Sequence, residues 1–239
     1  MKTINAKDLE FSALNAIIRE TGDCEIENCL GQRFIAAGMS YRDIKIKGTP
    51  GNALGAYLNG GSVEVFGNAQ DAVGDTMNDG KIILHGSIGD AAGYAMRGGE
   101  IIVQSDAGYR AGIHMKAYKD KVPVMVIGGR TGSFLGEYQA GGLIVVLGLG
   151  KGERPIVGNF PCTGMHGGKL FLRSDCKTVA FPKQVTAKKA SPEDLEEIRG
   201  YVKEYCDLFG EDLDSVLDAD FTVITPDSKN PYKQMYVQN

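Results

Sequence analysis

The chain has 239 residues, enough for one sizeable domain or a domain with an appendage. Its 26 basic and 30 acidic residues leave a formal net charge of −4, so there is no polyanion-binding footprint and nucleic acid is not an expected partner. Five cysteines with no C-x-x-C spacing exclude a disulfide framework or a zinc ribbon, and predict reduced thiols in a cytoplasmic protein.

At the N-terminus, MKTINAKDLEF lacks an apolar core segment, which predicts no secretory signal. Residues 8–20 place Leu9, Ala13 and Ile17, with Leu14 and Ile18, at i, i+4 spacing. They predict an amphipathic helix capped by Asn5 or Asp8 and closed by Gly22, packed on the sheet or over the first coil. The stretches 24–38 and 43–55 read as degenerate first coils, with Ile44 and Ile46 as the apolar pair of a strand.

From there the sequence is periodic. Gly55, Gly74, Gly93 and Gly112 stand 19 residues apart, and the spacing then loosens through Gly136 and Gly164. Six residues after the column glycine come Gly61, Gly80, Gly99 and Gly142. Next comes an alternating apolar pair: Val63/Val65, Ile82/Leu84, Ile101/Val103, Val124/Val126, Ile144/Val146 and Leu170/Leu172. Three residues after the glycine lies an apolar column of Leu58, Met77, Met96 and Met115, continued by Met165. The pair alternates with period two, which marks a short strand with one buried face. No repeat holds an 11-residue stretch of helical periodicity, and 19 residues are too few for a propeller blade.

One such coil cannot bury its apolar face alone, whereas stacked coils can, with equivalent residues about 4.8 Å apart. Glycine at the corners supplies positive φ for a sharp turn. The fold class expected is all-β: a single-stranded, right-handed parallel β-helix with flanking N-terminal and C-terminal helices. Its parts are an N-terminal cap (1–22), the Gly-rich coils (23–185) and a C-terminal helix with extended tail (186–239). That helix has Ser191 as N-cap, Pro192 at its first position, Glu193 and Asp194 in its first turn, a stripe of Leu195, Ile198, Val202, Tyr205 and Cys206, and Gly210 as its stop. The tail from Phe221 either wraps the chain's own coils or reaches a partner. No apolar run approaches the ~20 residues of a membrane span.

Motifs that carry chemistry are few. Gly148–Gly152 (GLGKG) follows an apolar run, but Pro155 replaces the helix that a dinucleotide turn needs, and Gly148 falls in a column with Gly67 and Gly86. His85, His114 and His166 have no second ligand at metal spacing. His85 alternates with a buried pair and should face outward. Asp71 and Asp90 share a column and are the one candidate acid pair, as in a polymer-cleaving β-helix enzyme. Tyr109 and Ser133 continue that column, so turn capping is the better reading. No catalytic, cofactor-binding or metal-binding residue is assigned. The candidate interaction face is Tyr109, Arg110, His114, Lys116 and Tyr118, with Lys119 and Lys121 beside it.

The runs at 51–86, 89–118, GSFLGEYQAGG (132–142) and TGMHGG (163–168) resemble the G-x-G-x-G domain that ends the large subunit of glutamate synthase, above all its stand-alone form. The resemblance is strong from about residue 25 to about 180. The same coils are found in the small β-helix subunit of formylmethanofuran dehydrogenase. The resemblance implies a scaffold that braces a glutaminase and an FMN and iron–sulfur synthase, with those cofactors held by the partners and none by this chain. In keeping with it, Lys2 follows Met1 where a glutaminase has its nucleophilic cysteine, and no cysteine cluster for iron–sulfur is present. A homo-oligomer is a further expectation.

Overall fold

The structure, a computed structural model, describes residues 1–227. Its elements in chain order are β1 (Lys2–Asn5), α1 (Phe11–Thr21), β2 (Cys24–Leu30), β3 (Arg42–Thr49), β4 (Asn59–Phe66), β5 (Asp79–Leu84), β6 (Glu100–Val103), β7 (Val124–Ile127), β8 (Ala140–Val146), β9 (Gly167–Leu172), β10 (Val185–Lys189), α2 (Pro192–Phe209), α3 (Leu213–Leu217) and β11 (Thr222–Pro226). Strands β1 to β9 pair in sequence order, each parallel to the next, and β11 and β10 close the sheet antiparallel. This is the parallel β-helix expected from the repeat. A second side of each coil is joined by the bridges Ala69–Ile88–Ala107–Thr131–Val157.

The inward residues form one continuous core: Ile44/Ile46, Val63/Val65, Ile82/Leu84, Ile101/Val103, Ile144/Val146 and Leu170/Leu172 are all buried in it. At β7 the expected pair is corrected. Met125 and Ile127 pair with Ile101 and Val103 and point inward, whereas Val124 and Val126 pair with Glu100 and Ile102 and point outward. A one-residue shift exchanges the two faces of a strand. All four residues of β7 are apolar and buried, so alternation held no signal there.

The last coil is corrected as well. Cys162 donates its N–H to Leu135 O, as Gly136 does to Ala111 O and Gly112 to Ala92 O, so Cys162 and not Gly164 continues the glycine column. A Cβ at Gly112 would lie 2.3 Å from Ile144 Cδ1, which fills the lumen from the following coil. Cys162 carries a Cβ because the regular coils end just beyond it.

Both ends of the lumen are covered. Leu14 and Ile18 of α1 seal the first coil. That helix starts at Phe11, later than expected, because Asp8 adopts φ +62° and the N-cap is Glu10, with no side-chain bond. Gly22 closes it, its N–H on Ile18 O. At the other end, Ile224 of β11 and Val185 of β10 join the core, so this part of the tail wraps the chain's own coils; the tail from residue 228 lies outside the described residues. Helix α2 begins with a capping box between Ser191 and Asp194 and ends on Gly210 at φ +74°. No helix among the described residues is long and apolar enough to cross a membrane.

Candidate interaction surface

The third side of each coil is the corner that carries the glycine column. Three alternate residues there are left-handed: one two places before the glycine, the glycine itself, and one two places after. Their N–H groups bond alternately to the next and the previous coil. Ala53 donates to Asp71 O, Gly55 to Ile35 O and Tyr57 to Asp75 O. Only the middle residue points into the lumen, where a Cβ at Gly55 would lie 2.5 Å from Ile82 Cδ1. The outer two positions point away from the lumen, partly or fully exposed except at the buried Ala53, and accept Ala, Arg, Phe, His, Thr and Tyr at φ +50° to +62°.

The predicted interface residues gather on this corner. Arg110, two places before Gly112, lies with Cζ 4.8 Å from the Phe134 ring centroid, and its Nε donates to Glu137 Oε2 at 3.0 Å. His114, two places after Gly112, stacks on Tyr138 at 5.1 Å between centroids and meets Tyr94 edge-on at 5.9 Å. Phe134 stacks on Phe160 at 5.3 Å, and Phe160 is 62% exposed. Tyr109 is exposed beside Arg110. Lys116 is exposed and forms no ion pair among the described residues. Tyr118 stands slightly apart on the inserted turn, where it bridges Lys121 and lies under the Lys119 ammonium. Lys121 itself reaches back to Asp79 Oδ2 at 2.7 Å, which pins the turn to an earlier coil and holds the Asp79 carboxyl below its usual range.

Sequence reasoning missed Tyr94, Phe134, Tyr138 and Phe160. The signal was available for two of them: Phe134 and Tyr138 share the offsets of Arg110 and His114 from the column glycine, whereas Phe160 does so only from Cys162, whose place in the column the structure supplies. Tyr94 lies one place after its glycine.

The acid column is structural. Asp71 Oδ1 accepts the N–H of Asp90 at 2.8 Å, and Asp90 Oδ1 accepts that of Tyr109 at 2.8 Å. Ser133 Oγ accepts the N–H of Asn159 at 3.0 Å in the same column. Each side chain caps the coil that follows it, so the pair is committed to the backbone and not to an acid–base couple. His85 faces outward as expected, bonded to Glu64 Oε1 at 2.9 Å and stacked on Phe66 at 4.7 Å. Burial pushes the Cys162 thiol up to about 12 and the Cys29 thiol up to about 11, which removes both as nucleophiles at neutral pH. Gly148–Gly152 leaves the sheet from the buried Gly148 into a turn exposed at Gly150 and Gly152, with no helix after it. Among the described residues no three His, Cys, Asp or Glu side chains come together as a metal site requires.

The sequence profile of a family described as the GXGXG motif matches residues 7–227. A protein of Methanocaldococcus jannaschii, described as Uncharacterized protein MJ1350, is 45% identical over 98% of this chain and 95% of its own length. Among solved structures, a chain of the formyltransferase/hydrolase complex (FhcABCD) from Methylorubrum extorquens, in complex with methylofuran, superposes with a TM-score of 0.61 at 18% identity. That match covers 92% of this chain and 89% of the other. At that identity it is a likeness of fold.

Proposed function

Because the chain belongs to the GXGXG motif family, we propose that it is a non-catalytic structural subunit that braces the catalytic subunits of a larger complex of the glutamate-synthase type. Its partners on this reading are a glutaminase, which releases ammonia from glutamine, and a synthase subunit that holds FMN and iron–sulfur. This chain supplies a rigid, regularly spaced surface and holds neither cofactor.

One observation carries the scaffold reading. The polar columns that a β-helix enzyme would use for chemistry are spent on capping successive coils, while aromatic and cationic side chains stand outward on a corner of the fold. Exposed rings and an arginine on a stiff frame suit protein recognition better than turnover. A second reading has its own support. The fold likeness to a chain of the FhcABCD complex extends over 92% of this chain, which favours a β-helix subunit of a formylmethanofuran-dehydrogenase-like assembly.

Affinity purification of the tagged, full-length chain from its native cells, followed by mass spectrometry, separates the two. Recovery of a glutaminase and a flavin-containing synthase supports the first; recovery of formyltransferase or hydrolase subunits supports the second. A chain recovered alone at native expression level overturns both.

A further inference from the structure

The glycine corner has a size pattern along the stack of coils. Two places before the column position, the successive residues are Ala53, Ala72 and Ala91, then Arg110, Phe134 and Phe160. Two places after it they are Tyr57, Thr76 and Ala95, then His114, Tyr138 and Gly164. All twelve are left-handed, and the ten on the first five coils share one hydrogen-bonding scheme, so backbone geometry does not impose the difference in size among those ten.

We propose that this corner is a self-complementary surface on which a second copy of the chain packs antiparallel, about a twofold axis between the coils of Ala91 and Arg110. Such an axis, perpendicular to the stack and lying in the interface, sets each column against itself with coil order reversed. In the first column Ala53 then faces Phe160, Ala72 faces Phe134, and Ala91 faces Arg110. In the second, Tyr57 faces Gly164, Thr76 faces Tyr138, and Ala95 faces His114. The four central pairs each join a large side chain to a small one; at the two ends Ala53 is itself buried and the chain's own Tyr138 ring fills the space beside Gly164, so the contact is carried by the central coils. Because both copies share one coil spacing, the pairs stay in step along the contact. A parallel twofold, with its axis along the stack, would set one column against the other and place Phe134 on Tyr138 and Arg110 on His114, with Ala91 facing Ala95 over a gap.

Charge favours the same pairing. Arg110 of one copy lies opposite Ala91 and therefore beside Asp90 of the other. Asp71 and Asp90 form no ion pair among the described residues, and each commits only one carboxylate oxygen to capping. Two like-charged pairs also arise. One sets Asp75 against Glu137, whose charge Arg110 already offsets. The other sets Arg97 against Lys116 at the rim.

The test is sedimentation velocity on the isolated full-length chain from about 1 to 100 μM, spanning the affinities of ordinary homodimers. A dimer is expected. Ala72→Phe places a ring where Phe134 of the second copy should sit, and should weaken association at least tenfold. It should leave the thermal melt of the monomer unchanged, because Phe134 already occupies the same column at nearly the same φ (+61° against +57°). Adding Phe134→Ala to Ala72→Phe in one chain exchanges the sizes and should restore the dimer. A monomer at every concentration, a dimer indifferent to Ala72→Phe, or a double variant that stays dissociated would overturn the proposal. A second copy on this corner leaves the catalytic partners of the scaffold reading to dock on the remaining faces of the dimer; the experiment uses this chain alone, so its failure is distinct from failure of that reading, which is decided by what co-purifies.

Discussion

The outward face of the sheet changes character halfway along the stack, although the inward face does not. On β2 to β4 the outward residues are mostly charged and wet, and on β5 Lys81 stands beside the half-buried Ile83. Lys47 Nζ lies 2.6 Å from Glu25 and 3.3 Å from Glu27, and Lys45 lies 3.4 Å from Glu64. On β6 to β9 the same positions hold Ile102, Val124, Val126, Leu143, Val145 and Phe171, buried beneath Ile198, Val202, Tyr205 and Cys206 of α2. Lys81 marks the boundary, paired with Glu100 on the sheet and Glu204 on the helix. Inside, Ile44/Ile46 and Ile144/Val146 are equally buried. The lumen therefore specifies the coil, and an element outside the repeat decides whether a coil's outer face is apolar.

The sharpest way to break this contrast is to loosen the helix. Tyr205 is 2% exposed, its hydroxyl donates to Gln104 O at 2.9 Å, and its ring packs on Phe209 at 4.9 Å. Gly128 leaves room for it, since a Cβ there would lie 1.9 Å from the hydroxyl. Tyr205→Ala should destabilise the protein by about 3–5 kcal/mol, read from the denaturant midpoint, as for other large aromatic truncations in a packed core. A loss below about 1 kcal/mol would mean that α2 contributes little and that the apolar half of the sheet is covered some other way.

The same contrast explains what could be read in advance. Where one face of a strand was polar, as in Ile44-Lys45-Ile46 or Val63-Glu64-Val65, alternation identified the inward residues correctly. On β7 both faces are apolar, and the register slipped by one. The glycine column was visible, but its reason was not. Positive φ alone does not demand glycine at this corner, because Arg110 and Phe134 adopt it too. What demands it is an isoleucine or methionine arriving from the next coil, a contact that no local spacing encodes. Gln139 shows the same limit. It sits in the methionine column, fully buried, with Nε2 donating to Gly142 O at 3.1 Å, and nothing in its neighbours in sequence announces a polar residue in the lumen. The interface residues were legible as a cluster of types, and their arrangement as two ladders required knowing which residues stack.

The capping box of α2 offers a milder test of the covered half. Asp194 accepts the backbone N–H of Ser191, and this bond, helped by the Ser191 hydroxyl and by Lys188 and Lys169, holds its carboxyl below the ordinary value of 3.8. A carboxyl depressed in the folded state stabilises above its unfolded value and loses that contribution as pH falls through its folded value. Stability measured by urea titration should therefore fall below about pH 4, with part of the fall absent in Asp194→Asn. Ser191→Ala should lower stability by about 1 kcal/mol at neutral pH. An acid limb identical in Asp194→Asn and the parent would show that the box does not anchor the helix.

The smallest effect belongs to the wet half. Lys47 holds two glutamates, and its hydrogen bond to Glu25 raises its ammonium above the ordinary lysine value. A raised cation stabilises below its unfolded value and loses that contribution as pH climbs through its folded value, so any contribution would fade only in strong alkali. The group is exposed, so water competes for every bond and ordering the side chain opposes the attraction. Lys47→Ala should leave the melting temperature within the scatter of measurement at physiological salt. It should be indistinguishable from the parent at 1 M salt, where the screening length is about 3 Å. A clear loss that persists in high salt would mean that the outward charges of β2 to β4 are held by something other than solvent-exposed pairing. The two halves of the sheet would then differ in chemistry but not in how firmly their outer faces are fixed.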